Sequence, residues 1–92
     1  MAAARSENEL QALGLNYVVA DLGTPEGCAH AVKETHDQLG PVEILVCNHG
    51  IGSAHERVIW EQKPELWRET MRINLDGPYW LSQAVVKDMI KQ

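Results

Sequence analysis

Ninety-two residues with 45% hydrophobic content read as one ordinary globular domain spanning 1–92, not as a disordered chain. Thirteen acidic against eight basic residues leave a net charge of −5, which argues against nucleic acid or an anionic membrane as partner. Two cysteines, Cys28 and Cys47, fall short of a disulfide framework, and no run approaches the ~20 apolar residues of a membrane span. Arg5 is followed at once by Ser6-Glu7-Asn8-Glu9, so no signal peptide is visible and a reducing, cytoplasmic setting is the expectation.

Ser6-Glu7-Asn8-Glu9 has the spacing of a capping box, with Ser6 as N-cap and Glu9 reaching back. It opens a short helix that carries Leu10 and Leu13 on one face and stops at Gly14. Tyr17-Val18-Val19-Ala20 reads as a buried strand ending at Asp21. Thr24 then caps a second helix with Pro25 at its first position, and Ala29, Val32, His36 and Leu39 form the expected inner stripe. Gly40-Pro41 ends that helix, and Val42 to Cys47 form the next strand. Strand, helix and strand in roughly 30 residues predict a βαβ crossover, which makes the two strands parallel neighbours or near-neighbours. Residues 50–62 read as a polar loop. Pro64 opens the last helix, which runs to about Ile90 with Trp67, Met71, Asn74, Pro78, Ser82, Val85 and Met89 along one face.

The segment Ile44-Leu45-Val46-Cys47-Asn48-His49-Gly50 is the most telling one. Its continuous apolar run suits a parallel strand covered on both faces. Asn48 and Gly50 stand at its carboxyl end, where open α/β sheets place their ligands. Asn74 lies on the next long helix four residues before Pro78, whose ring cannot accommodate the Asn74 carbonyl. That carbonyl, freed from the helix ladder, is expected to act as an acceptor facing the site.

With these residues in view, the chain resembles the short-chain dehydrogenase/reductase family. The strand-end motif of that family, Asn-Asn-Ala-Gly, corresponds to Cys47-Asn48-His49-Gly50, with Cys47 and His49 as departures. Asp21-Leu22 matches its Asp after the preceding strand. Trp67 and Asn74-Leu75-Asp76-Gly77 match its helix motif, and Ala4-Arg5-Ser6 resembles the end of its second strand. The resemblance implies a partial Rossmann-like α/β fold, doubly wound with a parallel sheet in three layers and incomplete at both ends. It implies an NAD(P)-dependent oxidoreductase acting on a carbonyl or alcohol group, with NADP or NAD as cofactor and a small carbonyl or alcohol as substrate. Residue by residue, Asp21 and Leu22 would meet the adenine and Asn48, His49 and Gly50 the ribose region. Arg5 would pair with a 2′-phosphate, and Asn74 would hold a water in the catalytic proton relay. A homo-oligomer built through the last helix is part of the same implication.

The family's glycine-rich Thr-Gly-x-x-x-Gly-x-Gly loop and its catalytic Ser and Tyr-x-x-x-Lys do not occur in these 92 residues. The fourth residue after Tyr17 is Asp21 and after Tyr79 is Gln83. The chain therefore reads as an internal piece of an enzyme, inactive by itself. Gly23-Thr24-Pro25-Glu26-Gly27 is no substitute phosphate loop, because Pro25 removes a donor N–H that phosphate would need. Two other readings stand beside this one. One is a non-catalytic truncated protein that associates through its last helix. The other is a small metal-binding module on Cys28, His30, His36, Cys47, His49 and His55, although Cys-x-His is not a structural-zinc spacing. No metal is expected, and Trp60 and Trp67 are expected to be packing residues.

Overall fold

A computed structural model describes residues 1–52 and 59–92. The elements follow in the order β1 (Ala2–Ala4), α1 (Glu7–Ala12), β2 (Tyr17–Val19), α2 (Pro25–Leu39), a 3₁₀ turn (Ile59–Glu61), α3 (Pro64–Met71), a π-helical turn (Arg72–Asp76) and α4 (Gly77–Lys91). β1 and β2 pair in parallel, with Ala2 opposite Tyr17, Ala3 opposite Val18 and Ala4 opposite Val19. The βαβ unit of the chain is therefore β1–α1–β2, one step earlier than the sequence suggests.

Helix boundaries follow local chemistry. Ser6 is the N-cap of α1, but its side chain makes no capping hydrogen bond, so the expected capping box does not form. Gly14, at φ 67°, takes the left-handed turn that ends α1 without a Cβ penalty. Thr24 caps α2 as its sequence predicts, its Oγ1 accepting from the Gly27 N–H at 3.0 Å with Pro25 in the first turn. Gly40, at φ 94°, closes that helix.

The core is made by Val18, Ala20, Leu22, Cys28, Ala31 and Leu81, with Ala3, Val32, Leu45 and Trp80 packed against it. This sets the inner face of α2 on Cys28 and Ala31; Ala29 and Leu39 of the expected stripe are exposed. His36 is half-buried, and its Nε2 faces Asp88 of α4 at 3.3 Å. The inner face of the last helical segment is likewise Ile73, Gly77, Leu81 and Val85, each four residues from the next. Of the expected stripe only Val85 is buried. Asn74 and Ser82 face outward, and Trp60 and Trp67, at 81% and 62% exposure, do not pack as expected. The expected stripe departs from this face at Asn74, Pro78 and Ser82, each one residue past a buried position, and meets it at Val85. The π turn, with the Gly77 N–H donating to the Arg72 carbonyl, interrupts regular helical spacing within this stretch.

Val42–Cys47 is the larger correction. It joins no ladder: among the described residues the sheet has two strands, β1 and β2. A groove of about 870 Å³ runs between Met1–Ala4 on one side and Val42–Val46 on the other, floored by Ala31, Val32, Leu81 and Val85. This segment makes no ladder contact of the about 4.8 Å that strand pairing needs and lines the groove instead. Leu45 still reaches the core, while Ile44 and Val46 stand open at 82% and 77% exposure.

Candidate functional site

The carboxyl end of β2 delivers Asp21, and the segment after Cys47 delivers Asn48, His49 and Gly50. These residues meet across a cleft of about 440 Å³, whose walls also include Arg5, Leu22, Glu9 and Ile73. All six residues expected near a cofactor (Arg5, Asp21, Leu22, Asn48, His49 and Gly50) thus line one space. Leu22 does so as a core residue, its carbonyl accepting from the buried Cys28 thiol at 3.3 Å. Burial, together with the Asp21 charge, pushes that thiol's pKa up, so Cys28 is a protonated packing group and not a nucleophile.

Asp21 is held from two directions. Its Oδ1 accepts from the Gly23 N–H at 2.9 Å, and its Oδ2 accepts from Arg72 Nη1 at 2.8 Å. The Gly23 N–H chiefly keeps the carboxyl below the usual carboxylate range; burial opposes it, and Arg72 adds to the lowering. Arg72 also grips Glu69 through Nε at 3.1 Å and Nη2 at 2.7 Å, so one guanidinium fastens the π turn to the end of β2. Sequence reading misses Arg72 altogether. The two partners lie 51 residues apart, and a lone arginine on a helix carries no signal for such a bond.

Asn74 is not aimed into the cleft as a free side chain. Its Oδ1 accepts from the Ile51 N–H at 2.8 Å and its Nδ2 donates to the Ile51 carbonyl at 2.9 Å. The amide thereby closes the backbone just past Gly50, and Gly50 fits because a Cβ there would lie 3.1 Å from Asn74 Oδ1. Asn74 lies in a π turn, Arg72–Asp76, that ends two residues before Pro78.

His49 turns its ring inward. Its Nε2 is buried without a hydrogen-bond partner and stands where a Cβ at Gly77 would be 2.5 Å away. The absent side chain of Gly77 is what accommodates an imidazole at this position. The Thr24–Gly27 turn spends its donors internally, with the Gly27 N–H on Thr24 Oγ1 and the Cys28 N–H on the Thr24 carbonyl, and offers no phosphate cradle. Among the described residues no three His, Cys, Asp or Glu side chains come together as metal ligands; His55, part of the metal reading, lies outside them. No helix among the described residues is long and apolar enough to cross a membrane.

Known proteins resemble this chain along nearly its whole length. The sequence profile of the short chain dehydrogenase family matches residues 1–92. Galactitol 2-dehydrogenase (L-tagatose-forming) of Cereibacter sphaeroides is 34% identical over 86 residues, covering 94% of this chain and 33% of that protein. A gluconate 5-dehydrogenase of Burkholderia cenocepacia, solved in complex with NADP and tartrate, superposes with a TM-score of 0.78 at 27% identity, covering 98% of this chain and 38% of that one. The L-sorbose reductase of Gluconobacter frateurii, solved with NADPH and L-sorbose, gives 0.81 at 27% identity over 95% of this chain and 36% of that one. The chain spans about a third of the length of the curated relatives it matches. With its parallel β–α–β start, Asn48-x-Gly50 on the cleft and an Asn-Leu-x-Gly helix behind it, the chain belongs to the short-chain dehydrogenase family.

Proposed function

We propose that this chain forms the adenosine side of a nicotinamide-dinucleotide site and contributes it to an NAD(P)-dependent oxidoreductase acting on a small carbonyl or alcohol. The observation that carries the reading is the convergence of Arg5, Asp21, Asn48, His49 and Gly50 on one cleft beside the end of β2. The donor set suits the group. Asp21 offers a fixed carboxylate acceptor, Gly50 allows close backbone approach, and the exposed Arg5 offers a guanidinium to a 2′-phosphate. The dinucleotide would supply hydride transfer; these residues would bind and orient its adenosine half.

Asn74 is assigned a positioning role first, through its clamp on Ile51, and a water-holding role in the proton relay second. The relatives named above act on polyols, sugars or sugar acids, which supports a small hydroxylated carbonyl as the substrate class. We place the protein in the cytoplasm, since Cys28 and Cys47 are both free thiols. We also propose a homo-oligomer, supported by the open apolar side chains of Ile44, Val46, Trp60 and Trp67. Val85 cannot serve that interface as the sequence stripe suggested, because it is packed inside the fold.

Titrating the isotope-labelled chain with NADP tests the cofactor reading. The expected result is a saturable shift of the Arg5, Asp21 and Gly50 amide resonances. Uniform small shifts across the chain, or none, would overturn it.

A further inference from the structure

We propose that Arg72, which does not line the cleft, tunes its preference between 2′-phosphorylated and unphosphorylated dinucleotides by neutralising Asp21 from behind. The inference rests on the cofactor reading above. Arg72 Nη1 meets Asp21 Oδ2 at 2.8 Å while the Gly23 N–H holds Oδ1 at 2.9 Å, so the carboxylate is fixed in direction as well as paired. Nε and Nη2 are anchored on Glu69, so the cation is itself held in place. Gly23 is part of the device, since a Cβ there would lie 2.5 Å from Nη1 and 3.0 Å from Cζ.

The electrostatic consequence is selective. Asp21 and Glu9 bring negative charge to the same cleft as the Arg5 cation. A phosphate held by Arg5 sits in the field of Asp21, and an unpaired carboxylate would repel it. Arg72 reduces that repulsion without touching the phosphate. A ribose that carries free hydroxyls has no such charge and gains nothing comparable. Arg5 would recognise the phosphate by contact; Arg72 makes its neighbourhood tolerable. Arg72 is thus a positioning and specificity residue, distinct from any group that meets the cofactor.

Affinities of NADP and NAD for the 92-residue chain, measured by amide shift titration, test this. Arg72→Gln is expected to weaken NADP about tenfold and NAD less than twofold, as for a lost charge-assisted pair. Arg72→Lys should recover part of the loss. Adding Asp21→Asn to Arg72→Gln removes the repelling carboxylate, so the ratio of NADP to NAD affinity should return toward wild type. This double variant also separates repulsion from simple misfolding, because a misfolded chain would not regain the ratio. Equal losses for both cofactors, an unmoved ratio, or no recovery in the double variant overturns the inference alone. Binding of neither cofactor by the wild type overturns the cofactor reading and the inference together.

Discussion

The imidazole of His49 occupies the volume that a side chain at Gly77 would need, and the Leu22 carbonyl closes the same space from the strand side. Gly77 opens α4, where alanine would by propensity be better by about 1 kcal/mol. The steric term wins, because the Leu22 carbonyl is backbone and has nowhere to go. Gly77→Ala is expected to destabilise the fold by about 1–3 kcal/mol, the usual cost of overpacking. A urea midpoint equal to or above that of the wild type would show that α4 can shift away from β2 at little cost.

Asn74→Ala should release the backbone beyond Gly50. The two bonds to Ile51 are solvent-exposed, so their combined worth is at the low end, about 1 kcal/mol. Global stability is therefore a poor probe, and local amide exchange a good one. Exchange at Ile51 should quicken while that at Val18 and Leu81, in the core, stays unchanged. Equal protection at Ile51 in both proteins would mean the clamp is dispensable.

Asp21 makes stability depend on acid. The Gly23 N–H and Arg72 lower its folded pKa, so its contribution is present above the unfolded value of about 3.9. That contribution is lost as pH falls through the lower folded value. The side chain is 39% exposed, so solvent screening keeps the effect small. Asp21→Asn is expected to flatten the acid limb of a plot of urea midpoint against pH, below about pH 4, without changing its slope near neutrality. An unchanged acid limb would mean that other carboxylates govern it.

Local chemistry was legible in the sequence where one turn decides the outcome. The Thr24 cap with Pro25, and the glycine stops at Gly14 and Gly40, stand as their sequence signals imply. The cleft was legible because Asp21 and Asn48 each end an apolar run, and both line it although only the first run pairs as a strand. Helix faces were not. A hydrophobic stripe counted at regular spacing cannot register a π step at Arg72–Asp76, and the true face, Ile73-Gly77-Leu81-Val85, meets the expected one at Val85 alone. Val42–Cys47 reads as a strand because its side chains are right for one. Pairing also needs a neighbouring backbone, which is not a property of the segment's own residues. Arg72 was invisible because its role rests on one contact across 51 residues and on the missing side chain of Gly23.

The purified 92-residue chain should bind dinucleotide weakly and turn over none. Neither Tyr17 nor Tyr79 is followed four residues later by a lysine, so the acid/base pair that family members use is absent from these residues. Without the group that moves the proton, the alkoxide that hydride transfer would leave has no acid to protonate it. Reduction of a panel of sugars and small ketones by NADPH, followed at the nicotinamide absorbance, is expected to stay at the rate without protein. Turnover above that rate, surviving further purification, would mean that another group in this chain carries the proton.

Self-association should run through the open sheet edge in preference to the last helix. In the β1–β2 ladder Ala2 donates to the Asn16 carbonyl and the Ala4 carbonyl accepts from Ala20, so parallel alternation turns the N–H and carbonyl of Ala3 toward the groove. Across that groove Ile44 and Val46 present apolar side chains to solvent. An unpaired edge next to exposed β-branched residues is a template for pairing with another chain. Ile73, Gly77, Leu81 and Val85 of the last helical segment are buried, so a contact through the helix would have to use its outer side chains Leu75, Tyr79, Val86 and Ile90. Sedimentation at micromolar concentration is expected to show dimers or larger species. Ala3→Pro removes the groove-facing donor while sparing the two residues that bond β2, and Val46→Lys adds a charge to the opposite wall. Both should return the chain to monomer, whereas Trp67→Lys should not. A wild-type monomer with a concentration-independent melting transition would show that the edge is inert, and loss of association only in Trp67→Lys would move the interface to the helix.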